Sequence, residues 1–471
     1  MPSRAARSPS TSVKIALVAA NDALTQTPPL SLLCLSTVLK DMGYQAEMYD
    51  LGVHPQKVSD LIEKTAAGEY LWVGFTAMTP SIPIIKKYIN SVRRASSAIP
   101  LVLGGIHASS LPEETLRELD VDVICVGDGE EAVKALTRKI VRGETNYWEV
   151  PGLACIDGNG VYHFSEDKAR SRDLHPFPRP DWDKVDFSDY QRCPMQYVRK
   201  GRRVAPVVIT KGCPNNCSFC AQPALFGRTL KKRDPLEVVD EIEYLVRDRG
   251  VDEIHILDDN FNHNLEYAKS VLREWVKRDI RVFWKAPQGI WIHACDDEWF
   301  SLLKKTGCYQ LSFGIESGSK DILKRANKRI ELDAVHDILN KYNEHGISTF
   351  GFFILGLPGE SKETISQTIS FARKLPLNHI HVSLFTPYPG SPLFYEAIRN
   401  GMECPKWDDY YHYHHSESFL FCNLKISELR RALKYFYATF YINPKRLFGL
   451  ISTVRCSGIR PFMAIARKII E

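Results

Sequence analysis

The chain has 471 residues, 44% hydrophobic and 25% charged, with a formal net charge of +5. That length exceeds one ordinary core and points to two or three domains of a soluble globular protein. The charge is too mild for a nucleic-acid-binding signature, no stretch nears the roughly 18–20 apolar residues of a membrane span, and no internal repeat marks a solenoid. Residues 1–12 are polar, lack an apolar signal core and read as a disordered tail. Twelve cysteines without a secretory signal imply a reducing, cytoplasmic setting.

Residues 13–146 form the first predicted domain. Strands are expected at 13–20, 45–50, 70–75, 101–105 and 123–127, alternating with helices at 30–42, 58–67, 82–95, 112–119 and 130–142. Five strand–helix alternations predict an α/β, doubly wound (Rossmann-like) parallel sheet. The strand ends are rich in small residues: Gly74-Phe-Thr-Ala-Met-Thr79, Gly104-Gly105-Ile-His107 and Gly127-Asp-Gly129-Glu130. Such glycines let a ligand approach the backbone at the sheet's carboxyl edge. No G-x-G-x-x-G follows the first strand, so this is not the dinucleotide fingerprint.

Residues 147–199 read as a proline-rich linker with a hairpin at 153–164 around Asn159-Gly160 and an extended strap at 177–182. Residues 200–396 return to βα alternation. Strands are expected at 204–210, 253–257, 281–285, 310–314, 348–355 and 379–385, and helices at 235–249, 265–278, 298–306, 333–345 and 363–374. Six repeats in place of eight predict a partial, side-open (β/α)6 barrel of the TIM type, with functional loops at the strands' carboxyl ends.

The first of those loops carries Cys213, Cys217 and Cys220 at C-x3-C-x2-C spacing. Thiolates so close together favour a soft metal or an iron–sulfur cluster. A zinc site would need a distant fourth ligand, and the next cysteine, Cys295, has no local partner. Three thiolates on a four-iron cluster would leave one iron open for a substrate.

This pattern resembles the radical S-adenosylmethionine (SAM) superfamily. The resemblance implies a [4Fe–4S] cluster on Cys213, Cys217 and Cys220, whose open iron chelates SAM. It places SAM-binding groups at Phe219, at Asp258, Asp259 and Asn260 for the aminoacyl ammonium, and at Glu316 and Ser317 for the ribose. It also places Ile354 and Gly356 beside the adenine, and Pro387 in the closing loop. The first domain resembles the cobalamin-binding domain of the B12-type branch, through Pro28-Pro29-Leu30, Gly104–Ser109, Pro112–Glu114 and Gly127–Glu130. Cobalamin-binding residues implied are Thr76, Met78, Thr79, Gly104, Gly105, His107, Gly127, Gly129 and Glu130. The D-x-H-x-x-G motif is absent, so no histidine from it is expected on cobalt. A degenerate module binding no corrinoid, with His107 serving only to hydrogen-bond the strand ends, is the alternative.

Residues 397–471 are expected to be helical. Trp407–His415 is aromatic and histidine-rich and reads as a covering or interface segment. Ten Lys or Arg against two Asp or Glu from Lys425 onward make it a basic cap, with peripheral contact to anionic lipid as the rival. The function the resemblance implies is a radical SAM enzyme that abstracts hydrogen from an unactivated carbon of a small molecule. Cobalamin-dependent C-methylation comes first, a non-methylating deoxygenation or dehydration, cyclisation or ring contraction second, and a non-enzymatic corrinoid or cluster sensor third. An electron donor such as flavodoxin or ferredoxin is the implied partner.

Overall fold

In the computed structural model, residues 14–20, 27–166, 178–190, 199–403, 406–410, 421–444 and 446–447 are described. The chain divides into two compact units. The first contains β1 (Lys14–Ala19), α1 (Leu30–Asp41), β2 (Gln45–Asp50), α2 (Val58–Ala66), β3 (Tyr70–Thr76), α3 (Ile82–Ala95), β4 (Leu101–Gly104), α4 (Ile106–Ser110), α5 (Pro112–Glu118), β5 (Val123–Cys125), α6 (Glu130–Val141), β6 (Leu153–Ile156) and β7 (Tyr162–Phe164). The sheet order is β2-β1-β3-β4-β5-β6-β7. Strands β1 to β5 are parallel, and β6 and β7 join antiparallel.

Alternation along the strands sorts the core into two layers. Val18, Val73 and Leu103 pack with Ile85, Ile89 and Val92 of α3. Leu17, Trp72 and Val102 pack with Leu32 and Leu39 of α1 and Leu136 of α6. The predicted domain ends at 146, but the sheet does not. The hairpin assigned to the linker supplies its last two strands, because main-chain groups of β5 pair with β6. The strap that follows is also tied to this unit. Ser36 donates to Asp181 at 2.8 Å, and Tyr190 donates to Asp50 at 2.9 Å. Residues 177 and 411–415, which carry parts of the strap and of the aromatic segment, lie outside the described residues.

The second unit is built on β8 (Val204–Val207), β11 (Glu253–Ile256), β12 (Phe283–Ile290), β13 (Cys308–Glu316), β14 (Ser348–Leu355) and β15 (His379–Leu384), with a small β9 (Thr210–Lys211) and β10 (Lys231–Lys232) pair beside them. Its helices are α8 (Pro235–Arg247), α9 (Leu265–Lys277), α10 (Asp297–Thr306), α11 (Lys320–Arg325), α12 (Leu332–Glu344), α13 (Lys362–Lys374) and α15 (Ile426–Tyr441); α7 (Gln222–Phe226) and α14 (Pro392–Arg399) belong to the first unit. Every neighbouring pair of the six strands is parallel and in chain order, which is the strand order of a barrel left open between β8 and β15.

Strand β12 runs five residues beyond its expected end. Pro287 and Gly289 read as breakers, yet the strand absorbs them in a register shift between Ala286 and Ile290. The helices end as their chemistry dictates: Asp234, Asn264, Asp296 and Ser361 cap N-termini with their side chains. The exposed edge of β15 is covered by α15. Val382 N–H donates to the Tyr437 hydroxyl at 2.9 Å, and Ile380 N–H to the Tyr441 hydroxyl at 3.3 Å. This satisfies edge donors that would otherwise invite another strand. No described helix is long and apolar enough to cross a membrane.

Candidate cofactor sites at the strand ends

The cysteine loop leaves β9, as its sequence requires. Cys217 is buried, and Cys213 and Cys220 are partly so; none of the three is in a disulfide. Cys213 and Cys217 lie in the second unit, and Cys220 opens the stretch Cys220–Thr229 counted with the first. No three His, Cys, Asp or Glu side chains among the described residues converge on one metal-ion position.

Two further observations fit a group bound beside these thiols. Asn260 Nδ2 lies 3.8 Å from Cys213 Sγ, while its Oδ1 is buried with no partner. The Ser218 hydroxyl, next to Cys217, is buried and equally unpartnered. Buried polar atoms are almost always satisfied, so such orphans mark places where a ligand or water completes the structure. Burial holds the Cys217 thiol above its ordinary pKa, opposed by the nearby Lys328 ammonium.

The strand ends hold the expected residues, but two are used inward. Asp258 is 2% exposed, and its carboxylate accepts from Ile209 N–H, Thr210 N–H and the Thr210 hydroxyl, each at 2.7 Å. It clamps the main chain that leads into the cysteine loop. Desolvation raises its pKa to about 7. Ser317 is fully buried, shares a 3.0 Å hydrogen bond with Thr368 of α13 and accepts from Ser319 N–H. Both side chains, expected at the ligand, spend these hydrogen bonds within the chain.

Asp259, Phe219 and Ile354 remain partly exposed. Glu316 sits at φ 67° and meets Lys328 Nζ at 3.2 Å. Gly356 donates its N–H to Glu360, whose other oxygen is buried without a partner; burial raises the pKa of this carboxyl to about 7. Pro387 is buried just after β15.

The first unit's carboxyl edge shows the same division. Met78 is 38% exposed, and Thr76, Gly104, Gly127, Gly129 and Glu130 are partly exposed along the strand ends. An open edge lined by glycines suits a large planar ligand. His107 and Thr79 do not line it. His107 is 1% exposed, its Nδ1 lies 3.2 Å from the Thr79 hydroxyl, and the Trp407 ring meets it edge-on at 4.6 Å. Desolvation lowers its pKa to about 4. It bonds across the strand ends, as the alternative reading of this residue had it. Gly105 is demanded by the protein's own chain. It has φ 98°, and a Cβ there would lie 2.5 Å from Ala77 O.

Sequence reasoning missed Lys328, whose position twelve residues after Glu316 carries no local signal. It also missed the ring group of His263, Trp291 and His293 near Asn260 and the His381–Ser383 pair on β15. The polar–apolar alternation His379-Ile-His381-Val-Ser383-Leu384 was the available hint for that pair.

Residues 207–372 match the family model of the Radical SAM superfamily, and residues 16–137 match that of the B12 binding domain. The chain is 27% identical over 427 residues to an uncharacterized methyltransferase of Pyrococcus horikoshii, covering 90% of each chain. It is 30% identical to an anaerobic magnesium-protoporphyrin IX monomethyl ester cyclase of Cereibacter sphaeroides, over 81% of this chain and 62% of that longer one. Its fold matches the radical SAM methyltransferase TsrM of Kitasatospora setae, solved with cobalamin and a [4Fe–4S] cluster, with a TM-score of 0.69, 23% identity and coverage of 84% and 76%. The chain thus joins an N-terminal B12-binding domain to a radical SAM domain.

Proposed function

We propose that this protein is a cobalamin-dependent radical SAM enzyme that methylates an unactivated carbon of a small-molecule substrate. The observation that carries the reading is a three-thiol loop at a barrel strand end, flanked by unsatisfied buried polar atoms, in a chain that also has a B12-binding domain. Cys213, Cys217 and Cys220 would hold the [4Fe–4S] cluster as thiolates. Asn260, Asp259 and Glu316 offer acceptors for the ammonium and hydroxyls of SAM, and Phe219 an aromatic face for its adenine. Ile354, Gly356 and Pro387 line the adenine side. Thr76, Met78, Gly104, Gly127, Gly129 and Glu130 would support the corrinoid. Together the bound groups supply an electron, a 5′-deoxyadenosyl radical and a methyl donor. The protein's part is to bind, orient and exclude water. Asp258 fixes the approach to the cysteine loop, and α15 closes the barrel edge. An external one-electron donor such as a flavodoxin or ferredoxin, and a cytoplasmic setting, accord with this chemistry.

The test is anaerobic reconstitution with iron, sulfide and cobalamin. The wild-type chain is expected to gain a brown chromophore and form 5′-deoxyadenosine from SAM, and the Cys213, Cys217 and Cys220 triple alanine variant to do neither. An iron-loaded, active triple variant defeats the cluster assignment. The 30% identity to a cyclase favours one rival, a radical reaction without methyl transfer. Product lacking label from methyl-labelled SAM, with no S-adenosylhomocysteine, would select that rival.

A further inference from the structure

The cysteine loop is gripped by the turn that ends α11. Ser218 N–H donates to Ala326 O at 2.9 Å, and Asn327 Nδ2 donates to Asn216 O at 2.8 Å, one bond on each side of Cys217. Asn327 adopts φ 49°, the left-handed conformation that asparagine tolerates, and so turns the chain into Lys328. Lys328 Nζ reaches Glu316 Oε1 at 3.2 Å, with the two side chains 13% and 9% exposed. Gly314 leaves room for this pair, since a Cβ there would lie 2.9 Å from Lys328 Nζ. The same ammonium is within electrostatic range of the Cys217 and Cys213 sulfurs.

A buried ion pair is seldom worth its desolvation when a packed apolar pair would serve. The placement makes physical sense if the cation answers a second negative charge. Three thiolates on an iron–sulfur cluster are such a charge, and net charge and hydrogen bonding are what tune cluster potentials. We propose that Lys328 is the charge partner of the cluster held in this loop, raising its reduction potential, and that Glu316 limits how much of that charge the cluster feels. The inference rests on the cluster reading given above. Reduction adds one negative charge, which a neighbouring cation stabilises. Removing the cation therefore disfavours the reduced form.

The experiment is an EPR-monitored redox titration of the full chain, reconstituted anaerobically with iron and sulfide and free of SAM. K328M is expected to retain wild-type iron content while its reduced-to-oxidised ratio at fixed potential falls by about tenfold, a downward shift of about 59 mV for one electron. K328R should stay near wild type, and E316Q should shift upward. An iron-replete K328M at the wild-type potential overturns the proposal. If K328M takes up no iron, E316Q decides, and an unchanged potential there overturns it. A wild-type chain that assembles no four-iron cluster instead fails the functional reading, and this inference with it.

Discussion

Asp258 separates two roles that the sequence does not distinguish. A ligand-binding carboxylate would matter only when SAM is present, whereas a clamp matters in the empty protein. The structure shows both oxygens occupied by Ile209 N–H, Thr210 N–H and the Thr210 hydroxyl, with Ile209 and Thr210 at 0% and 1% exposure. In Asp258→Ala, two main-chain donors lose their acceptor in a site water does not reach. At about 1–3 kcal/mol for each unsatisfied buried group, the loss is about 2–6 kcal/mol. Asp258→Asn keeps one acceptor oxygen but turns an NH2 toward the other donors, so about 2 kcal/mol is expected. Urea unfolding of the chain without iron or SAM would read this, because Trp275, Trp284 and Trp299 are fully buried reporters in the same unit. The pH dependence gives a second check. A carboxyl whose pKa is raised from 3.8 to about 7 on folding stabilises most below its unfolded pKa. That contribution is lost as pH rises through about 7, and the slope should vanish in Asp258→Asn. A variant that unfolds at the wild-type midpoint yet binds SAM more weakly would refute the clamp and restore the ligand role.

Gly105→Ala should destabilise the first unit by about 2–3 kcal/mol, from left-handed strain plus the collision with Ala77 O, and lower corrinoid binding in parallel; equilibrium unfolding and a cobalamin absorbance titration measure both. Tyr437→Phe should cost about 1–2 kcal/mol by leaving Val382 N–H unpaired, read as a lower urea midpoint. Three buried histidines should withdraw stability as pH falls from about 6.5 toward 4, opposing the gain that Asp258 gives over the same range. His107, His255 and His379 are each lowered to about 4, by burial first and for the latter two also by the Lys285 cation. Groups kept neutral in the fold contribute stability above their unfolded pKa, at most about 3 kcal/mol each, and lose it on acidification. Urea midpoints across this range check it, and His107→Gln should flatten part of the slope.

Local pattern was enough for the architecture. Alternating apolar strands and amphipathic helices have periods that survive without knowledge of their neighbours, so both βα series were legible in order. The cysteine spacing was legible for the same reason, since one loop holds all three thiols. The hairpin 153–164 was also visible, yet not its sheet, because an edge strand carries no mark of which backbone will bond it.

The roles of individual polar side chains were decided by the tertiary structure alone. Asp258, Asp259 and Asn260 are consecutive and chemically similar, but the loop after β11 brings Asp258 onto the chain at 209–210 and leaves Asn260 Oδ1 unsatisfied beside Cys213. His107 follows two glycines at a strand end, and only the folding of Thr79 and Trp407 around it takes it out of the ligand edge. Lys328 became visible only when the turn after α11 brought it to Glu316 and the thiols. Which elements form depends on neighbours in sequence; which oxygen, nitrogen or sulfur is left free depends on partners tens of residues away, and that information exists only once the chain has closed on itself.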